Sequence, residues 1–194
     1  MQRLLAFILF STLLVGCQTA KQNTQTSLDV LPTITLLPTS TPQATTSAQS
    51  SITKDSPMNA TVTTSKGTFI IKLDAASAPK TVDNFVNKAK SDFYKNLTFH
   101  RVEDWVVQGG DPDGNGTGGG SMPTELSQTP FVRGSVGVAR GMDIKISNDA
   151  QFFICTKDCD WLTGAYTLFG QVTEGMEVVD AMAIGDTIKS ISTE

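Results

Sequence analysis

In the segment Phe99-His100-Arg101-Val102-Glu103-Asp104-Trp105-Val106-Val107-Gln108-Gly109-Gly110-Asp111, an arginine and a glutamine stand on an apolar, aromatic-rich background with no catalytic nucleophile beside them. A guanidinium keeps its charge at any working pH, so Arg101 cannot shuttle protons; it can donate hydrogen bonds in a fixed fork toward developing electron density. The pair favours chemistry that needs positioning and polarisation, with nothing cleaved. Other chemistries are poorly supplied. His100 is the only histidine in the chain, and no Gly-x-Ser-x-Gly elbow accompanies it, so Ser-His-Asp, Cys-His and histidine-based metal sites all lack members.

Two further motifs dissolve on inspection. Gly114-Asn115-Gly116-Thr117-Gly118-Gly119 has the glycine spacing of a dinucleotide loop, but Ser121-Met122-Pro123-Thr124 supplies no amphipathic helix after it, and no Lys-Ser/Thr pair makes it a phosphate loop. Its glycines read as permitting tight turns. Asp111, Asp113, Asn115 and Gly116 imitate the opening of a calcium loop, yet Met122 stands where the closing bidentate Glu belongs. No cofactor and no metal is expected. Cys155 ends an apolar run and reads as a small buried residue, with Cys159 in the following loop; a disulfide between them is the alternative.

The elements that must hold these residues are short. Thr61 to Thr64 and Thr68 to Leu73 are β-branched runs joined by Ser65-Lys66-Gly67, which predicts a hairpin. Val82, Phe85, Val86 and Ala89 recur at helical spacing behind Pro79, predicting a helix over 79–90. Strands are expected at 97–102, 105–108, 135–139, 151–156 and 166–173, and a second helix over 175–183 with Met176, Val179 and Ala183 on one face. Along the run from Gln151, residues 151 and 153 share one face and 152 takes the other. Many short strands and two helices predict a mainly β fold, a closed or nearly closed barrel with helical caps.

The domain occupies 58–194, and what precedes it is different in kind. Residues 1–16 combine Arg3, an apolar run from Leu4 to Val15 and small Gly16, a secretory signal too short to span a membrane. Leu14-Val15-Gly16-Cys17 resembles a bacterial lipobox, which makes Cys17 the lipidated first residue of the mature chain. Residues 17–57 are rich in Ser, Thr, Gln and Pro and read as a tether with a reach of roughly 35 Å. The expectation is an extracytoplasmic protein, lipid-anchored to a bacterial cell membrane, contacting that membrane through its anchor only. With 194 residues, a net charge of −4 and no basic run, the chain offers no nucleic-acid surface.

Ala78-Pro79-Lys80-Thr81-Val82-Asp83-Asn84-Phe85, the Phe99 to Asp111 segment, Gly116-Thr117-Gly118-Gly119 and Gln151-Phe152-Phe153-Ile154-Cys155-Thr156, in that order, resemble the cyclophilins. The likeness extends from 60 to 194 through Trp161-Leu162, Phe169-Gly170 and Glu174-Gly175-Met176. It implies a peptidyl-prolyl cis/trans isomerase built as a closed eight-stranded antiparallel barrel capped by two α-helices, monomeric, acting on proline-containing segments of unfolded or exported proteins. By the same resemblance Arg101 is the catalytic donor, and Gln108 and Gln151 orient it and the substrate carbonyl. Trp105, Val106, Phe153 and Leu162 form the proline pocket with Tyr166 at the rim. Ala139 and Arg140 hydrogen-bond the peptide backbone, His100 neighbours the arginine, and Trp161 matches a tryptophan tied to cyclosporin binding.

The chain departs from its relatives at the motif that matters most. It has one residue fewer between the arginine and the aromatic, Glu103 where the family is apolar, Trp105 for Phe, Val106 for Met and Arg140 for Asn. The shortened turn carries Glu103 and Asp104, and a carboxylate of this pair is expected to meet Arg101 and restrain it. Before Gln151 the loop is about two residues longer, with Asp149-Ala150 in place of Gly-Ser. The competing expectation is therefore a proline-peptide binding module or chaperone of the cell envelope with little or no turnover.

Overall fold

A computed structural model describes residues 58–194. The expected signal peptide, lipidation at Cys17 and tether all fall outside the described residues.

The chain runs β1 (Met58–Thr64), β2 (Thr68–Leu73), α1 (Pro79–Lys90), β3 (Phe99–Glu103), β4 (Val106–Gly109), β5 (Ser121–Pro123), β6 (Ser135–Val138), β7 (Ile146–Asn148), β8 (Phe152–Cys155), β9 (Leu168–Glu174), α2 (Met176–Asp180) and β10 (Ile188–Thr193). Eight strands form one antiparallel sheet in the order β10-β1-β2-β9-β6-β8-β4-β3, and β5 pairs with β7 apart from it. The sheet curls without closing, which corrects the expectation of a closed barrel. Its outer strands β3 and β10 share no ladder; the seam is tied at one end, where the Thr98–Thr187 bridge is flanked by the Asn96 and Ile188 amides on the Ile188 and Leu97 carbonyls (each 2.8 Å) and by the Phe99 and Gly185 amides on the Asp186 and Phe99 carbonyls (2.9 and 3.0 Å). α1 packs against β10 and turns Val82, Phe85, Val86 and Ala89 inward, as their spacing requires.

The core inside the curl is aromatic. Phe85 meets Tyr94, Phe152 and Phe169 at centroid distances of 5.3, 5.7 and 5.2 Å. A second apolar cluster, holding Val106, Phe131, Phe153, Cys155, Cys159, Leu162 and Leu168, lies behind the β4–β8 face and backs onto Trp105 and Tyr166. Phe152 belongs to the first cluster and Phe153 to the second, the alternation expected of that strand.

Three strands escape the sequence pattern. In β10 only Ile188 and Ile191 are buried, three residues apart, because the register with β1 shifts between Thr63 and Thr64 and brings both isoleucines to the same side. β5 and β7 are three residues each and mostly exposed or half-buried. The second helix is shorter than expected: α2 starts after Gly175 in the left-handed region (φ 80°) and ends by Asp180, since the Asp186 carboxylate takes the Ala183 amide at 2.8 Å and turns the chain.

Candidate active site

The site begins with the β3–β4 hairpin. Glu103 pairs with Val106, so Asp104 and Trp105 alone make the turn, and Arg101 lies opposite Gln108. Facing positions across an antiparallel pair put their side chains on one surface. Arg101 Nη1 donates to Gln108 Oε1 at 3.3 Å, Gln108 Nε2 to Gln151 Oε1 at 2.9 Å, and Gln151 Nε2 to the Gly118 carbonyl at 2.8 Å. Each amide passes the polarisation of the guanidinium inward, and buried Gln151 fixes the direction of the chain.

This row forms one wall of a cavity of about 430 Å³ lined by His100, Arg101, Trp105, Val106, Gln108, Asn115, Gly116, Ala139, Arg140, Phe153, Leu162 and Tyr166. The floor is apolar: Phe153 stacks on Phe131 at 5.8 Å and takes the edge of Tyr166 at 5.8 Å. Gly137 permits that stack, because a Cβ there would come within 2.4 Å of Phe153 Cζ and 2.7 Å of Phe131 Cε1. Arg140 closes the far side, its guanidinium 4.3 Å from the Tyr166 ring centroid and donating to the carbonyls of Ala165 and Gly141, each at 2.8 Å. Ala139 donates its amide to Gln151 O and accepts from the Asn148 amide.

Ten of the twelve residues expected at the site line this cavity; Gln151 stands behind Gln108, and Trp161 lies outside the lining, 63% exposed and edge-on to Trp105 at 5.6 Å. Asn115 and Gly116, expected from the sequence in a glycine-rich turning loop and not among the site residues, line the cavity. Asp111 brings them there: its buried carboxylate accepts the amides of Asp113, Asn115 and Gly116 and so curls the loop back over His100. An Asp followed by Asn and Gly was the available signal. The calcium-like carboxylate is thus spent on backbone amides.

The electrostatics follow from these contacts. Of the two turn carboxylates, Asp104 pairs with Lys157 at 2.7 Å, and only Glu103 reaches Arg101, at 2.7 Å from Nε and 3.1 Å from Nη2. The hydrogen bond from Arg101 holds the Glu103 carboxyl below the usual carboxylate range. Burial lowers the His100 imidazole, with Asp111 opposing and Arg101 adding to the shift, and neither ring nitrogen has a hydrogen-bond partner. Cys155 and Cys159 are free, buried thiols, each pushed up by burial, so the open alternative resolves to the unbridged pair.

The family model described as cyclophilin type peptidyl-prolyl cis-trans isomerase matches residues 59–193. A peptidyl-prolyl cis-trans isomerase of Helicobacter pylori is 41% identical over 140 residues, covering 68% of this chain and 84% of that one. One from Synechococcus elongatus is 38% identical over 133 residues, 66% of this chain and 90% of the relative. Among solved structures, a cyclophilin type isomerase of Cryptosporidium parvum, determined in the presence of the dipeptide Ala-Pro, superposes with a TM-score of 0.65 at 26% identity, covering 70% of this chain and 98% of that one.

Proposed function

The chain belongs to the cyclophilin-type peptidyl-prolyl cis-trans isomerases, and from that premise we propose that it accelerates X-Pro rotation in exported proteins by hydrogen bonding from Arg101 to the twisted prolyl amide. Rotation breaks amide resonance across a barrier of about 18–20 kcal/mol. In the twisted state the prolyl nitrogen is no longer conjugated and becomes an acceptor, so a donor aimed at it stabilises that state more than either planar form. The observation that carries the reading is the position of Arg101 on the wall of a cavity of about 430 Å³ whose floor, formed by Val106, Phe153 and Leu162, is apolar and has room for a prolyl ring and its neighbours. Of its five N–H bonds, Glu103 takes two and Gln108 one, which leaves one on each terminal nitrogen for substrate. Phe153, Val106 and Leu162 receive the ring, and the Ala-Pro dipeptide present with the Cryptosporidium relative supports a prolyl ligand in the pocket.

NMR exchange on a short X-Pro peptide tests this. The wild-type chain should accelerate exchange and Arg101→Ala should lose about a hundredfold, the cost of removing one donor aimed at a developing charge; an unchanged rate in Arg101→Ala would overturn the mechanism. Cyclosporin is proposed as a ligand of the same pocket, read as a saturable change in tryptophan fluorescence.

A second reading, a module that holds proline-bearing segments without turnover, is favoured by one observation: the guanidinium is already engaged by Glu103. Peptide binding without faster exchange would select it. The extracytoplasmic, lipid-anchored location is proposed on the residues 1–17 pattern.

A further inference from the structure

The carboxylate of Glu103 accepts three hydrogen bonds from two pocket residues: Arg101 Nε at 2.7 Å, Arg101 Nη2 at 3.1 Å and Trp105 Nε1 at 3.0 Å. The short turn produces this arrangement. Because the ladder is regular from the Arg101–Gln108 pair to the Glu103–Val106 pair, Arg101 and Glu103, two residues apart on one strand, project from the same face, and Trp105 folds back over both with the guanidinium 5.1 Å from its ring centroid.

The contact does little for the fold. Both side chains are about half exposed, at 41% and 47%, and exposed ion pairs contribute little to stability. Its effect falls instead on the freedom of Arg101, whose other protein contacts are the 3.3 Å bond to Gln108 and the face of Trp105. A long side chain so loosely held samples many rotamers, and misplacement of a donor by about 1 Å is costly to rate. The bidentate contact removes that freedom along the Nε–Nη2 edge and leaves the Nη1 edge turned to Gln108 and the cavity.

We propose that Glu103 is a positioning residue of the isomerase, a single carboxylate that sets the Arg101 donor and the Trp105 pocket wall in register with each other. The proposal rests on the reading of Arg101 as the donor. It predicts that Glu103→Ala lowers kcat/KM about tenfold, with the loss in kcat and KM within about twofold, because the donor acts on the twisted state. Glu103→Gln, which keeps the length and one good acceptor, should fall between the two. In 15N-resolved spectra the Arg101 Nε–H and Trp105 Nε1–H signals should both move in Glu103→Ala and broaden, while the thermal midpoint stays at the wild-type value; should Glu103→Ala fold poorly, Glu103→Gln carries the test. A Glu103→Ala enzyme as active as wild type, or more active, would overturn the proposal, the latter by showing a carboxylate that competes with substrate. Unmoved Arg101 and Trp105 signals would overturn it equally. Arg101→Ala on the same peptide separates the failures: if wild type is active and Arg101→Ala is not, a full-rate Glu103→Ala sinks the positioning role alone, whereas an inactive wild type sinks the isomerase reading and the positioning role with it.

Discussion

Arg101 was legible because its chemistry is set by residue type: a permanent cation with forked donors, near a glutamine and aromatics, restricts the reaction classes before any geometry is known. What could not be read was which of two adjacent carboxylates would meet it, since that depends on where the ladder stops; with Glu103 the last paired residue, Asp104 is carried away to Lys157. Asn115 and Gly116 were missed for a related reason, being delivered to the cavity by amides folding onto Asp111. His100 supplies a pH prediction. Its imidazole sits below the ordinary value mainly through burial, so between that lowered value and about 6.5 the unfolded chain binds more protons than the folded one. Stability therefore rises with pH through that window and is lost as pH falls; urea midpoints from about pH 5.5 to 7.5 should climb in wild type and climb less in His100→Gln. The thiols supply another: with Cys155 and Cys159 free and buried, Cys17→Ala protein should yield two titratable thiols only on denaturation, and a count of zero in unreduced, denatured protein would mean they are bridged.

At the level of elements, α1 and the strands with alternating or β-branched runs were readable, and the failures share a cause. β10 hides behind a register shift that spaces its buried isoleucines by three, and β5 and β7 bury too little to leave a pattern. Closure of the barrel was inferred from strand number, whereas closure depends on whether β3 and β10 pair along their length, and they are joined only at one end, by the backbone bonds around the Thr98–Thr187 bridge. Within β6, Gly137 is the element's contribution to the pocket: with no side chain it lets Phe131 and Phe153 stack. Gly137→Ala should cost about 1–3 kcal/mol by overpacking and weaken peptide binding as Phe153 is pushed into the cavity. Chemical denaturation and a peptide titration would show both, and retention of wild-type affinity would argue that the ring is free to adjust.

For the whole molecule, the proposed boundary at residue 58 predicts separable parts. Residues 58–194 alone should fold and keep the exchange activity of the full chain. Cys17→Ala in the full chain should abolish metabolic labelling with a fatty acid and release the protein from the membrane fraction, with catalysis unaltered. Persistent labelling in that variant would place the anchor elsewhere. The open sheet carries an implication for how this fold varies. Arg101 rides on a terminal strand whose only ladder is with β4, so a residue lost from the connecting turn disturbs no third strand, and the Arg101–Gln108 pairing on its near side is preserved. A slip of one residue along the strand would instead send the arginine to the opposite face. Changes of length therefore fit at the tip of this hairpin and at the register shift between Phe99 and Arg101, with the Arg101–Gln108 pairing held between them, and of the two places only the tip alters which side chain meets the guanidinium while the core stays the same.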